Sequence, residues 1–236
     1  VNKTEAKPWA ISSTNLSGEP EPCNGTLNIW KINEPAVAYR ARLWSRPDKF
    51  IHTKEEWAKW FPNDPYDDEN NRFKWTKGSK VHEGKFDTGK EKELKLALNT
   101  WKPGLYMLEA ISKDKYGQEV KEVKYFTVFG EQEKVIPGAQ QLWFNMLTEK
   151  SEPGQKAAFL IGSSENVQVR YEIEHKGKIV AREWIRLNKE QKRIEIPVEE
   201  KHSGNFVLHI VTVTNNRVFT ENDTIYVPRS DKMLEL

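Results

Sequence analysis

The sequence predicts an all-β protein with two consecutive antiparallel β-sandwiches and one short helix in the first of them. Three observations support this fold class. Short runs in which apolar and polar residues alternate recur along the chain, and a period of two is typical of half-buried strands. Turn signals such as Pro-Gly separate the runs. Apart from one short stretch, no helical pattern lies between them, which favours antiparallel sandwiches of about seven strands each.

The first sandwich is predicted over residues 25–131. It follows a polar leader or edge segment at 1–24 that has few apolar residues. Its strands are predicted at 27–32, 37–43, 80–88, 92–98 and 104–130, the last being a hairpin that closes the domain.

One short helix is predicted over residues 52–61, within this first sandwich. Thr53 is placed to cap its amino terminus, and Glu55 and Glu56 lie in the first turn, where the helix dipole favours anions. The apolar residues fall on one face at i, i+3 and i+4: Trp57, Trp60 and Phe61. Pro62 ends the helix.

The second sandwich is predicted over residues 140–236, after a polar linker at 132–139. Its last strand ends at Pro228, which has no N–H to donate to a ladder. Apolar alternation restarts at 233–236, so these residues are expected to begin a further module and the chain is expected to be cut from a longer protein. The Pro-Gly pairs of the two sandwiches occupy different places, so no internal repeat is inferred.

Composition excludes several classes of partner. Lysine and arginine (37) nearly balance aspartate and glutamate (35), and a formal charge of +2 argues against nucleic acid or an anionic membrane surface. No run approaches the roughly 20 apolar residues of a spanning helix, so no membrane insertion is predicted. The single cysteine, Cys23, rules out an internal disulfide and a cysteine-based zinc site.

No catalytic, cofactor-binding or metal site is predicted, and the chain is not expected to be an enzyme. The five histidines have no metal-ligand spacing, and no serine-nucleophile or phosphate-loop motif is present. Two alternatives stay open. Dispersed carboxylates could form a hydrolase pair. The acidic loop 63–71 could bind calcium or simply be solvated, and its carboxylates are Asp64, Asp67, Asp68 and Glu69.

The nine tryptophans permit two interpretations. Exposed tryptophans could stack on sugars or form a protein-binding patch. Alternatively, a small sandwich without disulfides uses large aromatic residues to fill its core and to pin the helix to the sheet. Six of the nine fall in the first predicted domain: Trp30, Trp44, Trp57, Trp60, Trp75 and Trp101.

Residues 25–236 resemble consecutive macroglobulin-like domains of the bacterial alpha-2-macroglobulin family, particularly its large Bacteroidetes type. The motifs that carry the resemblance are a Pro-Gly-x-Tyr strand at 103–106, the Lys-Asp-x-x-Gly turn that follows it, and the exit "VPRSDKMLEL" at 227–236. Between them lie "EPGQKAAFLIGSS", "GKIVAREWIRL", "IEIPVEE" and "GNFVLHIVTV".

This resemblance implies fibronectin III- or immunoglobulin-like sandwiches that serve as non-catalytic modules of an endopeptidase inhibitor. Such inhibitors have a bait region that a target protease cuts and, in many members, a Cys-x-x-Gln thioester that traps the protease. Cys23 lacks a glutamine three residues on, since Thr26 stands there. The bait region and any thioester are therefore expected outside these residues, and no site residue is carried over.

The resemblance also implies the partners and the location. The expected partners are neighbouring macroglobulin-like domains of the same chain and, through the full-length protein, a target protease. Export to the periplasm or cell envelope is expected, with a lipid anchor on a removed amino-terminal signal. The alternative function is a carbohydrate- or cell-surface-binding sandwich that uses exposed tryptophans.

Overall fold

In a computed structural model the protein is mostly β, which confirms the predicted fold class. The structure describes residues 1–4 and 7–228. Within them the strands are β1 (Trp9–Ala10), β2 (Asn24–Ile32), β3 (Lys77–Asp87), β4 (Glu93–Leu94), β5 (Gly104–Lys113), β6 (Glu119–Val128), β7 (Trp143–Met146), β8 (Lys156–Gly162), β9 (Asn166–His175), β10 (Lys178–Asn188), β11 (Gln191–Pro197), β12 (Gly204–Thr214) and β13 (Arg217–Val227). One α-helix, α1, spans Lys54–Trp60.

The chain divides into two compact units, each built from two separate stretches. Unit 1 comprises Val1–Pro35 and Asn71–Glu131, and unit 2 comprises Ala36–Asn70 and Gln132–Leu236. The domain limits predicted from the sequence stay a prediction. This division differs from them in one respect, because residues 36–70 group with the second unit.

Unit 2 is a sandwich of two antiparallel sheets. One sheet has the order β10-β9-β12-β13 and the other the order β11-β8-β7, which gives the seven strands that the sequence predicts. Alternate residues of β12 point into the core: Phe206, Leu208 and Ile210 are at most 1% exposed. Period-two alternation thus produces the buried layer between the sheets.

Unit 1 has the same kind of main sheet, in the order β3-β2-β5-β6, but its second sheet contains only β1 and β4 among the described residues. Its core lies between these sheets. The buried side chains are Leu27, Ile29, Phe86, Leu98, Tyr106, Leu108, Phe126 and Val128.

The two units share one strand plan. β2, β3, β5 and β6 pair with one another as β9, β10, β12 and β13 do, and β1 pairs with β4 as β8 pairs with β11. Gly104 and Gly204 begin equivalent strands after a short 3-10 turn, and both have positive φ (143° and 105°). The two units thus have a common topology, which the Pro-Gly pairs do not indicate because they are not at equivalent places; the inference that the sequence has no internal repeat stays a prediction.

Two strand predictions in the first sandwich were also wrong. Residues 37–43 form no strand, and Leu43 is 68% exposed. Of the run 92–98, only β4 is extended in a ladder, and Leu98 begins a 3-10 turn. Alternation over a few residues predicts a strand only where a neighbouring strand is available to complete the ladder.

The predictions for 229–236, an outward turn and the start of a further module, lie outside the described residues. No helix in the described part of the chain is long and apolar enough to cross a membrane.

Candidate functional site

The segment Ala36–Asn70, called the insertion below, is the most unusual feature of unit 2. The insertion lies in sequence between β2 and β3 of unit 1. The equivalent strands of unit 2, β9 and β10, are joined by Lys176 and Gly177 alone. Long connections without strands are uncommon in compact domains and often carry function. The insertion is therefore the first place to look for a site.

Two arginines fold the insertion back on itself. The Arg40 guanidinium binds the Asp64 carboxylate in bidentate fashion, with Nε to Oδ1 at 2.7 Å and the second pair at 2.5 Å. Arg42 donates to the carbonyl oxygens of Pro65 and Tyr66, at 2.7 Å each. A planar guanidinium suits both arrangements because its donors are fixed in a fork.

Side chains of the sandwich anchor the insertion within unit 2. The Gln141 side-chain amide donates to the carbonyl oxygen of Ala38, which is 2% exposed. The Asn215 amide in turn donates to Gln141 Oε1 at 3.1 Å, and the Asn215 carbonyl accepts a hydrogen bond from Arg40. Asn215 and Asn216 both have positive φ in the hairpin turn between β12 and β13, which aims this carbonyl.

The acidic loop that the sequence singled out as a possible calcium site lies inside the insertion, with its carboxylates opposite cations. Besides the Arg40 pair, Arg46 contacts Asp67 and lies 3.5 Å from Asp68. Lys54 Nζ lies 2.8 Å from a Glu69 oxygen. Burial alone would raise the pKa of Glu69, but hydrogen bonds from Lys54 and from the Asp67 amide lower it below its ordinary value. The negative charge is thus balanced by side chains of the protein, which disfavours a calcium ion.

Helix α1 confirms the helix prediction but not its packing. The Thr53 side chain accepts from the Glu56 amide, and the Glu56 carboxylate accepts from the Thr53 amide, which is a capping box. Trp57 is half-buried and donates to the Asp64 carbonyl at 3.1 Å. Trp60 is 51% exposed, so this helix does not bury its whole aromatic face.

The insertion presents an exposed aromatic and apolar set to solvent. Every residue from 43 to 51 is exposed. The large side chains of the set are between 39% and 86% exposed: Leu43, Trp44, Phe50, Ile51, Trp60 and Phe61. Large apolar side chains concentrated in one surface segment are characteristic of binding regions.

Besides the half-buried Trp57, five tryptophans of the first predicted domain divide between the two interpretations. Trp101 packs on the main core of unit 1, and Trp30 and Trp75 pack on a smaller cluster on the other face of its sheet. Trp44 and Trp60 stay exposed. Core filling therefore explains the first three, and the last two remain candidates for contact with a ligand or partner.

The outer face of the main sheet of unit 1 contains an ion-pair cluster around a buried carboxylate, which sequence reasoning missed. The Glu109 carboxylate is 6% exposed and receives Lys77 Nζ at 2.6 Å, Lys121 Nζ at 2.5 Å and Trp30 Nε1 at 3.1 Å. Burial alone would raise the pKa of Glu109, but the two lysines lower it. The four residues come from four neighbouring strands, so spacing along the chain gives no signal for the cluster.

The equivalent position in unit 2 carries His209, which contacts a carboxylate and an amide of neighbouring strands. Its Nδ1 lies 2.7 Å from Asn222 Oδ1, and its Nε2 lies 2.8 Å from a Glu174 oxygen. The hydrogen bonds to Asn222 and Glu174 raise the pKa of His209, although burial opposes them. Within the described residues no group of three or more side chains is arranged to hold a metal ion.

A comparison with protein families gives a match over the second sandwich. Residues 142–236, less than half of the chain, match the model of the alpha-2-macroglobulin bait region domain. The match begins one residue before β7 and so takes in all seven strands of unit 2. It conflicts with the expectation that the bait region lies outside these residues. No curated protein matches the chain.

Solved structures give matches of low similarity. The elastase-activated alpha-2-macroglobulin of Escherichia coli has a TM-score of 0.32 and 12% identity, covering 94% of this chain and 21% of its own. A tetra-tandem repeat from the extending region of a large adhesion protein has a TM-score of 0.29 and 12% identity, covering 86% and 41%.

The chain thus spans less than half the length of these solved structures, and at such TM-scores the likeness supports no functional inference. The functional inference therefore rests on the family-model match. Through residues 142–236, the chain is similar to the alpha-2-macroglobulin family in its bait region domain.

Proposed function

We propose that the chain is a non-catalytic part of an alpha-2-macroglobulin-like endopeptidase inhibitor, in which unit 2 belongs to the bait region domain. The match over 142–236 carries this proposal, because it covers a complete sandwich. The resemblance of residues 25–236 to consecutive macroglobulin-like domains supports it. The same proposal includes the partners, which are neighbouring macroglobulin-like domains of the same chain and a target protease. It also includes export to the periplasm or cell envelope with a lipid anchor.

The geometry of unit 2 favours a mechanical role for its sandwich. Its longest connection between strands of the matched segment, 147–155, is tied to other strands. The Ser151 amide donates to the Tyr226 carbonyl at 3.0 Å, the Tyr226 amide to the Glu149 carbonyl at 2.9 Å, and the Gly154 amide to the Val198 carbonyl at 2.8 Å. Backbone held in this way resists a protease until it opens locally. Over 142–228 the sandwich is thus a rigid support for protease-sensitive chain.

The test is a trapping assay on the full-length protein. After incubation with trypsin, the protease should co-elute with the inhibitor, keep its activity on a small peptide substrate and lose its activity on a large protein substrate. Trypsin with a blocked active site is the matched control and should stay free, because it cannot cut.

Two outcomes would contradict the proposal. In the first, trypsin stays free and fully active on the protein substrate. In the second, residues 1–236 alone block trypsin at one equivalent, which would place the inhibitory activity within these residues.

A second candidate function is carbohydrate or cell-surface binding through exposed tryptophans. The observation in its favour is the exposure of Trp44 (61%) and Trp60 (51%) in one insertion. Glycan-dependent quenching of tryptophan fluorescence that disappears in the Trp44→Ala, Trp60→Ala double variant would support it. Trp184→Ala, at a 65% exposed position of β10, is the control. Unchanged fluorescence across a broad glycan panel would exclude it.

A further inference from the structure

Unit 1 has no described counterpart of β7. In unit 2, β8 lies between β11 and β7 and pairs with both. Its equivalent in unit 1, β1, pairs with β4, and no other strand of residues 1–4 and 7–228 lies beside it. One edge of β1 therefore offers backbone groups to a further strand.

The position of the missing strand follows from a feature that the units share. Asn2 forms a parallel bridge with Phe129, as Lys150 does with Tyr226. In unit 1 the Lys3 amide donates to the Phe129 carbonyl at 2.9 Å, and the Phe129 amide to the Val1 carbonyl at 3.1 Å. In unit 2, Ser151 and Glu149 are joined in this way to Tyr226, whose equivalent in unit 1 is Thr127, two residues before Phe129. The Val1 amino group donates to the Thr127 carbonyl at 2.5 Å, as the Ser151 amide does to the Tyr226 carbonyl. Val1 thus takes the place of Ser151, in the connection that follows β7.

An apolar groove of about 850 Å³ lies beside β1 in unit 1. Its floor includes core side chains of the main sheet, and Glu122 and Lys124 also line it. The apolar lining includes Trp9, Ile11, Leu27, Leu108, Ala110 and Phe126. A groove of this kind between two sheets leaves core surface accessible to water, at a cost of roughly 25 cal/mol for each Å² of apolar area.

In unit 2 the equivalent space is filled by β7. Phe144 pairs with Ile161 and Met146 pairs with Phe159, and both β7 side chains pack on the core cluster. The rings of Phe144 and Phe159 lie 5.9 Å apart. The β7 strand therefore supplies a ladder on one side and two apolar side chains at alternate positions.

We propose that the groove of unit 1 is the docking site of a seventh strand, which runs antiparallel to β1 and leads directly into Val1. Its occupant is polypeptide joined to Val1, with apolar side chains at alternate positions facing Trp9 and Ile11. The strand plan of unit 2 calls for this strand, and the hydrogen bond from Val1 to Thr127, equivalent to that from Ser151 to Tyr226, gives it the same entry into the unit. Main-chain hydrogen bonds along β1 and burial of the alternate side chains hold it.

The experiment extends the chain with the strand that unit 2 already uses. Because Val1 corresponds to Ser151, a copy of residues 142–150 (LWFNMLTEK) is placed directly before Val1. Amide exchange along β1 should slow by about tenfold or more, since the open edge becomes a ladder. Fluorescence of a dye that binds exposed apolar surface should fall, and the chain should remain a monomer.

Two matched extensions test the reason for the effect. In the first, the copies of Phe144 and Met146 carry Phe→Asp and Met→Asp, and the protection of β1 should be lost. In the second, the outward copies of Trp143 and Asn145 carry Trp→Asp and Asn→Asp, and the protection should persist.

The proposal is overturned if β1 exchanges at the same rate with and without the extension, or if the two Asp-containing extensions protect it equally. Dimer formation upon extension would also overturn it, because the strand would then occupy the groove of a second molecule. None of these outcomes involves protease trapping, so they are independent of the proposed inhibitor function.

Discussion

The two units of the molecule share a strand plan and differ in how that plan is completed. Unit 2 adds β7 at the edge of its smaller sheet and joins β9 to β10 through two residues. In unit 1 no strand of residues 1–4 and 7–228 pairs with the equivalent edge, and the insertion lies between β2 and β3. The shared plan rests on buried alternation, so the candidate functional features lie where the units depart from it.

The largest effect is expected in the equivalent core positions Phe206 and Tyr106, which are 0% and 1% exposed. Phe206→Ala should destabilise unit 2 by about 3–5 kcal/mol, because it leaves a cavity in a closed sandwich. Tyr106→Phe should destabilise unit 1 by only about 1 kcal/mol, because it removes the hydrogen bond from the hydroxyl to the Lys102 carbonyl at 2.7 Å. Burial raises the pKa of Tyr106 to about 12, so this hydroxyl remains a donor. Urea unfolding measures both variants, and Tyr116→Phe, at a 78% exposed position, is the control.

The next largest loss of stability is expected at Glu109, at the centre of the outer face of the main sheet of unit 1. Glu109→Gln should destabilise unit 1 by about 1–3 kcal/mol, since a buried carboxylate that receives two lysines is lost. The carboxylate has a lowered pKa in the folded state. Its contribution is therefore present above the unfolded pKa of about 4.3 and is lost as pH falls through the folded value. Urea unfolding of both proteins at pH 7 and pH 3 checks this, and equal loss of stability at both would contradict it.

Limited proteolysis compares the accessibility of two connections: the exposed insertion between β2 and β3, and the two-residue turn between β9 and β10. Trypsin should cut first at Lys49–Phe50, because residues 43–51 are all exposed. Lys49→Gln should slow this first cut by about tenfold, whereas Lys178→Gln, beside the two-residue turn of β9 and β10, should leave it unchanged. Mass spectrometry of the first fragments decides the matter. A first cut within β9 or β10 would contradict the prediction, because that connection would then be the more accessible of the two.

The smallest effect is the pH response at His209, which has the opposite sign to that of Glu109. Its pKa is raised in the folded state. Its contribution is fully present below the unfolded pKa of about 6.5 and is lost as pH rises through the folded value. Burial lowers the pKa of His202, which acts in the opposite direction. The measurement is therefore the difference in unfolding midpoint between the protein and His209→Gln, which should shrink from pH 5.5 to pH 8.5.

Some of the fold could be read from the sequence because the signals are local. The alternation in β12 and the cap at Thr53 involve residues two or three apart, and both were predicted correctly, whereas the reciprocal bond of Glu56 that completes the capping box was not predicted. The run 37–43 has the same alternation and is no strand, because it has no ladder to join. The shared strand plan was not predicted, because it depends on which strands pair, and pairing joins residues that are far apart along the chain.

By itself, the sequence determined the all-β class, the helix and the lack of metal and nucleotide motifs, since each depends on neighbouring residues. Only the tertiary structure decided that residues 36–70 belong with the second sandwich, through contacts such as those of Arg40 with Asp64 and Asn215. It also decided which tryptophans are buried and where a groove remains beside β1. These features depend on residues that are far apart along the chain and meet only when the sheets pack, so no local pattern encodes them.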